Sequence, residues 1–133
     1  MHVLHNPSSN GPHPGPISWG METRSPRRLL YISGQVGTDA SGNVADGFLA
    51  QAKCTWDNVG AVLRAAGMTP DNIVRTGIYI PRQVELTTSL RTEFNALRIG
   101  FLGSNRPSST MIYVYDLMDP AWLVEIDAVA VET

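Results

Sequence analysis

The stretch Leu123-Val124-Glu125-Ile126-Asp127-Ala128-Val129-Ala130-Val131, close to the end of the chain, decides the fold class. Its side chains fall into two alternating sets, and this period of two predicts a β-strand with one buried face. The fully apolar set, expected to face helices, is Val124, Ile126, Ala128 and Ala130. The other set mixes acidic and apolar residues, namely Leu123, Glu125, Asp127, Val129 and Val131.

Two amphipathic segments are predicted to supply the helices that cover this strand. Apolar residues recur at steps of three and four from about Gly47 to Ala66, and again from about Val84 to Leu102. Gly67 lies where a left-handed C-terminal cap belongs, and Pro70 opposes any continuation of the first helix. By contrast, the segment 6–26 is too rich in Pro, Gly, Ser and Asn to form a regular helix.

Three other runs are predicted to be strands. The segments 29–33 and 73–80 are short and rich in β-forming residues, and Pro81 is expected to end the second. The segment 109–115 precedes the final strand, and the two are expected to form a pair. This order of elements indicates an α+β fold, a mixed β-sheet with two helices packed on one face. At 133 residues, 1–133 is expected to be a single domain.

The sheet face away from the helices is predicted to carry both polar and apolar side chains. In the segment 109–115, we expect the set Thr110, Ile112 and Val114 to meet the helices. Ser109 would then share the helix-free face with Glu125. Because a half-apolar face in so short a chain is usually covered, a second subunit is the expected cover.

The composition argues against several classes of protein. The net charge of -2 and the pI of about 5.8 do not suit a nucleic-acid binder, which needs many basic contacts to phosphate. Cys54 is the single cysteine, so no intrachain disulfide forms and a reducing cytoplasm is the expected location. No apolar run approaches the roughly 20 residues of a membrane span, so no membrane partner is expected.

Most recognised site motifs are missing. His2, His5 and His13 lie in the N-terminal stretch without further ligands in a metal-binding pattern, so no metal is expected. Neither a phosphate-binding glycine loop nor a GxSxG nucleophile motif occurs. Glu125 is the residue of interest, because it interrupts an apolar strand. It is either a solvated outward-facing carboxylate or a general acid-base group that positions water.

Four segments together resemble one protein family. They are Leu30-Tyr31-Ile32-Ser33-Gly34-Gln35, the helix from Gln51 to Gly67, Asp71-Asn72-Ile73-Val74-Arg75-Thr76, and the closing strand Val124 to Ala130. In this order they resemble the Rid family (reactive intermediate deaminases of the YjgF type), also called L-PSP endoribonucleases. The resemblance implies a chorismate-mutase-like α+β fold and a homotrimer with clefts between subunits. It also implies hydrolysis of small imines and enamines, such as 2-aminoacrylate, without a cofactor.

The resemblance also assigns site residues. It makes Glu125 the catalytic carboxylate that orients the attacking water, and it places Ser33 and Gly34 at the substrate. Three positions depart from the family pattern, and one of them is an asparagine of the second helix that is replaced near Leu90. Ile17 stands at the tyrosine of a GPYS motif, and Ser109 is matched to an arginine that clamps the substrate carboxylate. Arg106 would replace that arginine only if the strand began after it.

The sequence and its family resemblance are compatible with two functions. The first is a deaminase acting on a small imine or enamine in an inter-subunit cleft, inefficient on 2-aminoacrylate because serine offers neither charge nor a fork of donors. The second is a non-catalytic trimer of the same fold that binds or senses a small molecule. A ribonuclease suits the older family names but not the charge of the chain.

Overall fold

In the computed structural model, which describes residues 1–13 and 15–133, a four-stranded sheet and two α-helices form the body of the protein. A separate two-stranded sheet lies at the N-terminus. In chain order the elements are β1 (His2–His5), β2 (Gly20–Thr23), β3 (Arg28–Val36), α1 (Phe48–Ala65), β4 (Ile73–Pro81), α2 (Thr88–Leu102), β5 (Ser108–Val114) and β6 (Glu125–Glu132). Short 3-10 turns occur at Ser8–Asn10 and Pro70–Asn72.

The four-stranded sheet has the order β3-β6-β4-β5. β6 runs antiparallel to both neighbours, whereas β4 and β5 are parallel. The α+β class and the mixed sheet are therefore confirmed. The expected pairing of the last two strands is wrong, because β4 lies between β5 and β6.

The core lies between the sheet and the helices. The apolar set of β6 is buried as predicted, and α1 packs on it with Trp56, Val59 and Leu63. Trp56 also stacks on Phe101 of α2, with 5.0 Å between ring centroids. These contacts place both helices on one face of the sheet and leave the opposite face free of helices.

The predicted orientation of β5 is wrong. Ser109 pairs with Thr76, and both Thr76 and Ile78 of β4 are fully buried beneath the helices. Residues paired across parallel strands point to the same side of the sheet. Ser109 therefore faces the helix layer, on the other side of the sheet from Glu125. The alternation of side chains predicted the wrong face for Ser109 because β5 is an edge strand that α2 covers incompletely. Its apolar Ile112 is exposed on the open face.

The helix ends follow their capping groups. α1 agrees with its predicted range, and Gly67 has the expected positive φ of 72°. α2 begins four residues later than predicted, because the Thr87 hydroxyl caps it by accepting a hydrogen bond from the Leu90 N–H at 3.1 Å. Pro81 is the last residue of β4 and not the residue after it.

The N-terminal segment packs on the domain without a long helix. β1 pairs with β2, which places His2 beside Thr23 and His5 beside Glu22. The Ser18 hydroxyl donates a hydrogen bond of 2.6 Å to the carbonyl of Arg106 and ties this segment to the start of β5. Neither helix in the described residues is long and apolar enough to cross a membrane.

Gly37 sets how closely α1 approaches the sheet. A Cβ at this position would lie 2.6 Å from the Cα of Gln51. Because this is a backbone atom of α1, the helix itself would have to shift to relieve the clash. Gly37→Ala should therefore lower the free energy of unfolding by about 1–3 kcal/mol. Gly100 of α2 is the control, because a Cβ there meets no atom within 4 Å. Gly100→Ala should raise the free energy of unfolding by about 0.5–1 kcal/mol. Urea unfolding measures both, and equal effects would contradict the packing argument.

Candidate functional site

A β-bulge shapes the open face of the sheet. Ile32 pairs with Ala128 and Gln35 pairs with Ile126, so Ser33 and Gly34 together lie opposite a single residue of β6. Such a bulge leaves residues outside the regular ladder and redirects the strand. Ser33 and Gly34 are both exposed there.

The bulge brings Gly34 against Glu125. A Cβ at Gly34 would lie 2.8 Å from the Cδ of Glu125, so the carboxyl group occupies the space that any larger residue would fill. Burial, with a smaller contribution from the nearby Asp127 carboxylate, raises the pKa of Glu125 above its ordinary value. A carboxyl group with a raised pKa is a stronger base than an ordinary glutamate, as acid-base catalysis requires.

A second hydrogen-bonded pair lies beside Glu125. The Tyr79 hydroxyl donates to Oδ2 of Asp127 at 2.9 Å, directly above Gly77. This hydrogen bond, aided by burial, raises the pKa of the Tyr79 phenol. Glu125 pairs with Tyr79 across the two strands, so the carboxyl group and the phenol share the open face.

Arg75 supplies a cation on this same face. Its side chain is exposed and its Nη1 lies 3.4 Å from Oγ1 of Thr110. Arg75, Tyr79, Asp127 and Thr110 were absent from the sequence-based site. Their proximity to Glu125 follows from the register between β4, β5 and β6. The sequence alone carries one signal for them, since the alternation in 73–80 places Arg75 and Tyr79 on one face of the strand.

Ser109 and Ile17 lie elsewhere. Both line a cavity of about 380 Å³ between α2, β5 and the N-terminal segment, which we call the α2–β5 cavity. The Ser109 hydroxyl accepts a hydrogen bond of 2.7 Å from Thr76. An arginine introduced at position 109 would therefore point toward the helix layer and not toward Glu125 of the same chain.

Arg106 does not compensate on the open face. It precedes β5, and its Nη1 donates to the carbonyls of Gly103 at 2.7 Å and Asn105 at 2.8 Å. The proposed site residues thus form two groups within one chain: Ser33, Gly34 and Glu125 on the open face, and Ile17 and Ser109 at the cavity. In the described parts of the chain, no cluster of three or more His, Cys, Asp or Glu side chains is arranged to hold a metal ion.

Curated relatives match most of the chain. Human 2-iminobutanoate/2-iminopropanoate deaminase is 32% identical over 107 residues, which are 79% of this chain and 74% of that protein. The mouse protein of the same name is 31% identical over 120 residues, covering 89% of this chain and 82% of its own length.

Solved structures match the whole fold. A Yersinia pestis protein of unknown function, described as belonging to the conserved Rid family, superposes with a TM-score of 0.87 at 30% identity and covers 98% of each chain. RidA from an Antarctic Psychrobacter superposes with a TM-score of 0.70 at 24% identity, covering 91% of this chain and 92% of its own. This second likeness concerns the fold alone.

The family match agrees with these likenesses. The model of the endoribonuclease L-PSP family matches residues 18–132. This range begins at Ser18, which contacts Arg106, and ends at the last residue of β6. The range includes the bulge, Glu125 and the Tyr79–Asp127 pair. The chain therefore belongs to the endoribonuclease L-PSP family, which is the Rid family.

Proposed function

We propose that this protein is a deaminase that hydrolyses a small imine or enamine, with Glu125 as its catalytic residue. The contact between Glu125 and Gly34 carries the proposal, because it holds one carboxyl group of raised pKa on the open face beside an exposed backbone segment. The names of the human and mouse relatives support the same reaction class.

The proposed reaction consumes one water and releases one ammonia. The Glu125 carboxylate accepts a proton from water while the water oxygen bonds to the imine carbon, and the C=N electron pair moves to nitrogen. Glu125 returns this proton to the nitrogen, which gives a carbinolamine. The same carboxylate then carries the hydroxyl proton to the nitrogen, the C–N bond breaks, and ammonia leaves as the C=O bond forms. An enamine enters this sequence after its carbon gains a proton and its nitrogen loses one, which gives the imine.

Ser33 and Gly34 are proposed to hold the substrate beside this carboxyl group. The bulge leaves them outside the regular β-ladder. The Ser33 carbonyl accepts a hydrogen bond of 3.0 Å from the Gln35 amide, and the Ser33 hydroxyl is the group proposed to meet the ligand. Position 109, matched to the family's carboxylate-clamping arginine, carries a serine that offers neither charge nor a fork of donors. We therefore still expect hydrolysis of 2-aminoacrylate to be inefficient.

The assembly is proposed to be a homotrimer that buries the open face. Leu29 and Tyr31 of β3 lie on this face with 56% and 72% of their surfaces exposed. An apolar face of this kind is usually covered, and the resemblance to a trimeric family supports two further copies as the cover. Clefts between the copies would then enclose the Glu125 carboxyl group.

A second candidate function is non-catalytic binding of a small molecule. The α2–β5 cavity favours it, because this cavity lies on the helix side of the sheet and has its own polar groups. Ammonia release from enzymatically generated imines separates the two functions, since a binding protein would release none above the uncatalysed rate.

Glu125→Gln should lower kcat by at least ~100-fold for whichever imine the wild type hydrolyses fastest, because the amide cannot accept the proton of water. Gly34→Ala should lower kcat by up to ~100-fold while the fold persists, because the new methyl group displaces only the flexible end of Glu125. Ammonia release gives the rates. Glu85→Gln is the matched control, since Glu85 is exposed on a loop. A fully active Glu125→Gln variant would rule out Glu125 as the base.

The raised pKa of Glu125 makes a separate prediction for stability. A carboxyl group whose pKa is higher in the folded state binds its proton more tightly there. Its favourable contribution is complete below the unfolded pKa of about 4.3 and is lost as pH rises through the folded value. Glu125→Gln, which mimics the neutral form, should therefore raise Tm at pH 7 and have little effect below pH 4. A Tm difference independent of pH would contradict the raised pKa.

Tyr31→Glu should convert the trimer into monomers, because it would place three charges against apolar surface. Sedimentation equilibrium should give about three times 14.5 kDa for the wild type and about 14.5 kDa for the variant. Tyr115→Glu is the control, since Tyr115 is equally exposed at 68% but lies outside the sheet and packs under Arg82. A monomeric wild type at micromolar concentration would refute the assembly.

A further inference from the structure

One buried side chain of α1 binds the backbone just before β6. Gln51 is only 2% exposed, and its Nε2 donates a hydrogen bond of 3.0 Å to the carbonyl of Ala121. Its Oε1 accepts a hydrogen bond of 2.8 Å from the N–H of Leu123. A residue of a parallel strand makes the same two bonds to the residues on either side of its partner. The Gln51 amide therefore extends the hydrogen bonding of the sheet to residues 121–123.

The start of β6 is a part of the sheet that needs such support. Glu125 is the first residue of β6, and the segment 115–124 before it lies outside the strands. On the side of β3, the bulge at Ser33 and Gly34 interrupts the ladder near Glu125. The ends of strands open locally at a lower free energy than the core of a sheet. Such an opening would separate the Glu125 carboxyl group from Gly34.

The backbone of Gln51 is itself held against the end of β3. Gly37, which follows β3, lies so close that a Cβ there would be 2.6 Å from the Cα of Gln51. Later in α1, Nδ2 of Asn58 donates to the carbonyls of Val36 and Thr38, both at 2.9 Å. α1 thus binds the end of β3 and the entry to β6, the two strands whose contact buries the carboxyl group.

We propose that Gln51 is a positioning residue for Glu125, because its amide fixes residues 121–123 and so keeps the carboxyl group in place against Gly34. The inference rests on the proposed function, in which Glu125 is the catalytic residue. Gln51 belongs to α1 and is buried on the helix side of the sheet, so it does not reach the open face. It acts through the backbone that it binds.

The surroundings of Glu125 supply a measurable sign of its position. Gly34 meets it from β3 without a titratable group, Asp127 follows it on β6, and Tyr79 pairs with it on β4. Arg75 lies further along β4 on the same face. Burial is the larger cause of the raised pKa of Glu125, ahead of the Asp127 carboxylate. If the start of β6 loosens, Glu125 becomes solvated, and its pKa should fall toward the ordinary value of about 4.3.

Carbon NMR titration of the glutamate carboxyl groups in the full chain tests the proposal, with the spectrum of Glu125→Gln identifying the Glu125 signal. Gln51→Met keeps a buried side chain of similar volume but removes both hydrogen bonds. It should lower the pKa of Glu125 and move the acid limb of the kcat profile for ammonia release to lower pH. It should also lower kcat by at least ~10-fold, because a displaced base leaves the productive geometry.

Thr55→Val is the matched control for a merely structural role. Thr55 is fully buried on the same helix, and its hydroxyl donates a hydrogen bond of 2.7 Å to the carbonyl of Gln51. Its loss should lower Tm without changing the pKa of Glu125. An unchanged pKa of Glu125 in Gln51→Met would overturn the proposal.

Hydrogen exchange of the wild type provides the second test if Gln51→Met does not fold. The Leu123 N–H, held by Gln51, should exchange at least ~100-fold more slowly than the N–H of exposed Met118 in the preceding segment. Equal exchange at the two positions would contradict the positioning role. Neither NMR measurement requires turnover, so an inactive wild type would overturn the proposed function alone.

Discussion

The register of β6 between its two antiparallel neighbours is the constraint on which the structure depends. Side chains alternate along a strand, so a shift of one residue would turn Glu125 and Asp127 into the core and expose Ile126 and Ala128. Burying two carboxylates under α1 would be prohibitive without partners. The interaction that builds the core thus also fixes the acidic groups on the open face.

The sequence predicts most of the elements because their signals are local. The periodicity of the helices and the alternation in β6 each identify an element, and Gly67 marks the end of α1. The position of the carboxylate is likewise predictable, because Glu125 alternates with residues of unmistakable burial. The predictions that failed concern β5, both its expected pairing with β6 and the face on which its side chains lie. Both of its faces are mixed, and only its pairing with Thr76 and Ile78 decides which side Ser109 takes.

Other parts of the site are not local at all. The bulge at Ser33 and Gly34 depends on how two strands distant in sequence come together, and the Tyr79–Asp127 pair depends on the same contacts. Arg98, a buried residue of α2 that lines the α2–β5 cavity, is missed for a different reason. It follows Phe94 by four residues and so shares its buried side, yet a lone charged residue is normally assigned to solvent. Charge burial without a partner is therefore visible only in three dimensions.

The bulge in β3 also constrains how the chain can vary in length. Upstream of it, β3 is aligned by the pairing of Ile32 with Ala128, and downstream by the pairing of Gln35 with Ile126. Deleting one residue there would restore a regular ladder only by removing the segment that touches Glu125, whereas the turn at 39–43 is exposed and can lengthen freely. Insertions and deletions among descendants of this protein should accumulate in that turn and be excluded from the two residues of the bulge.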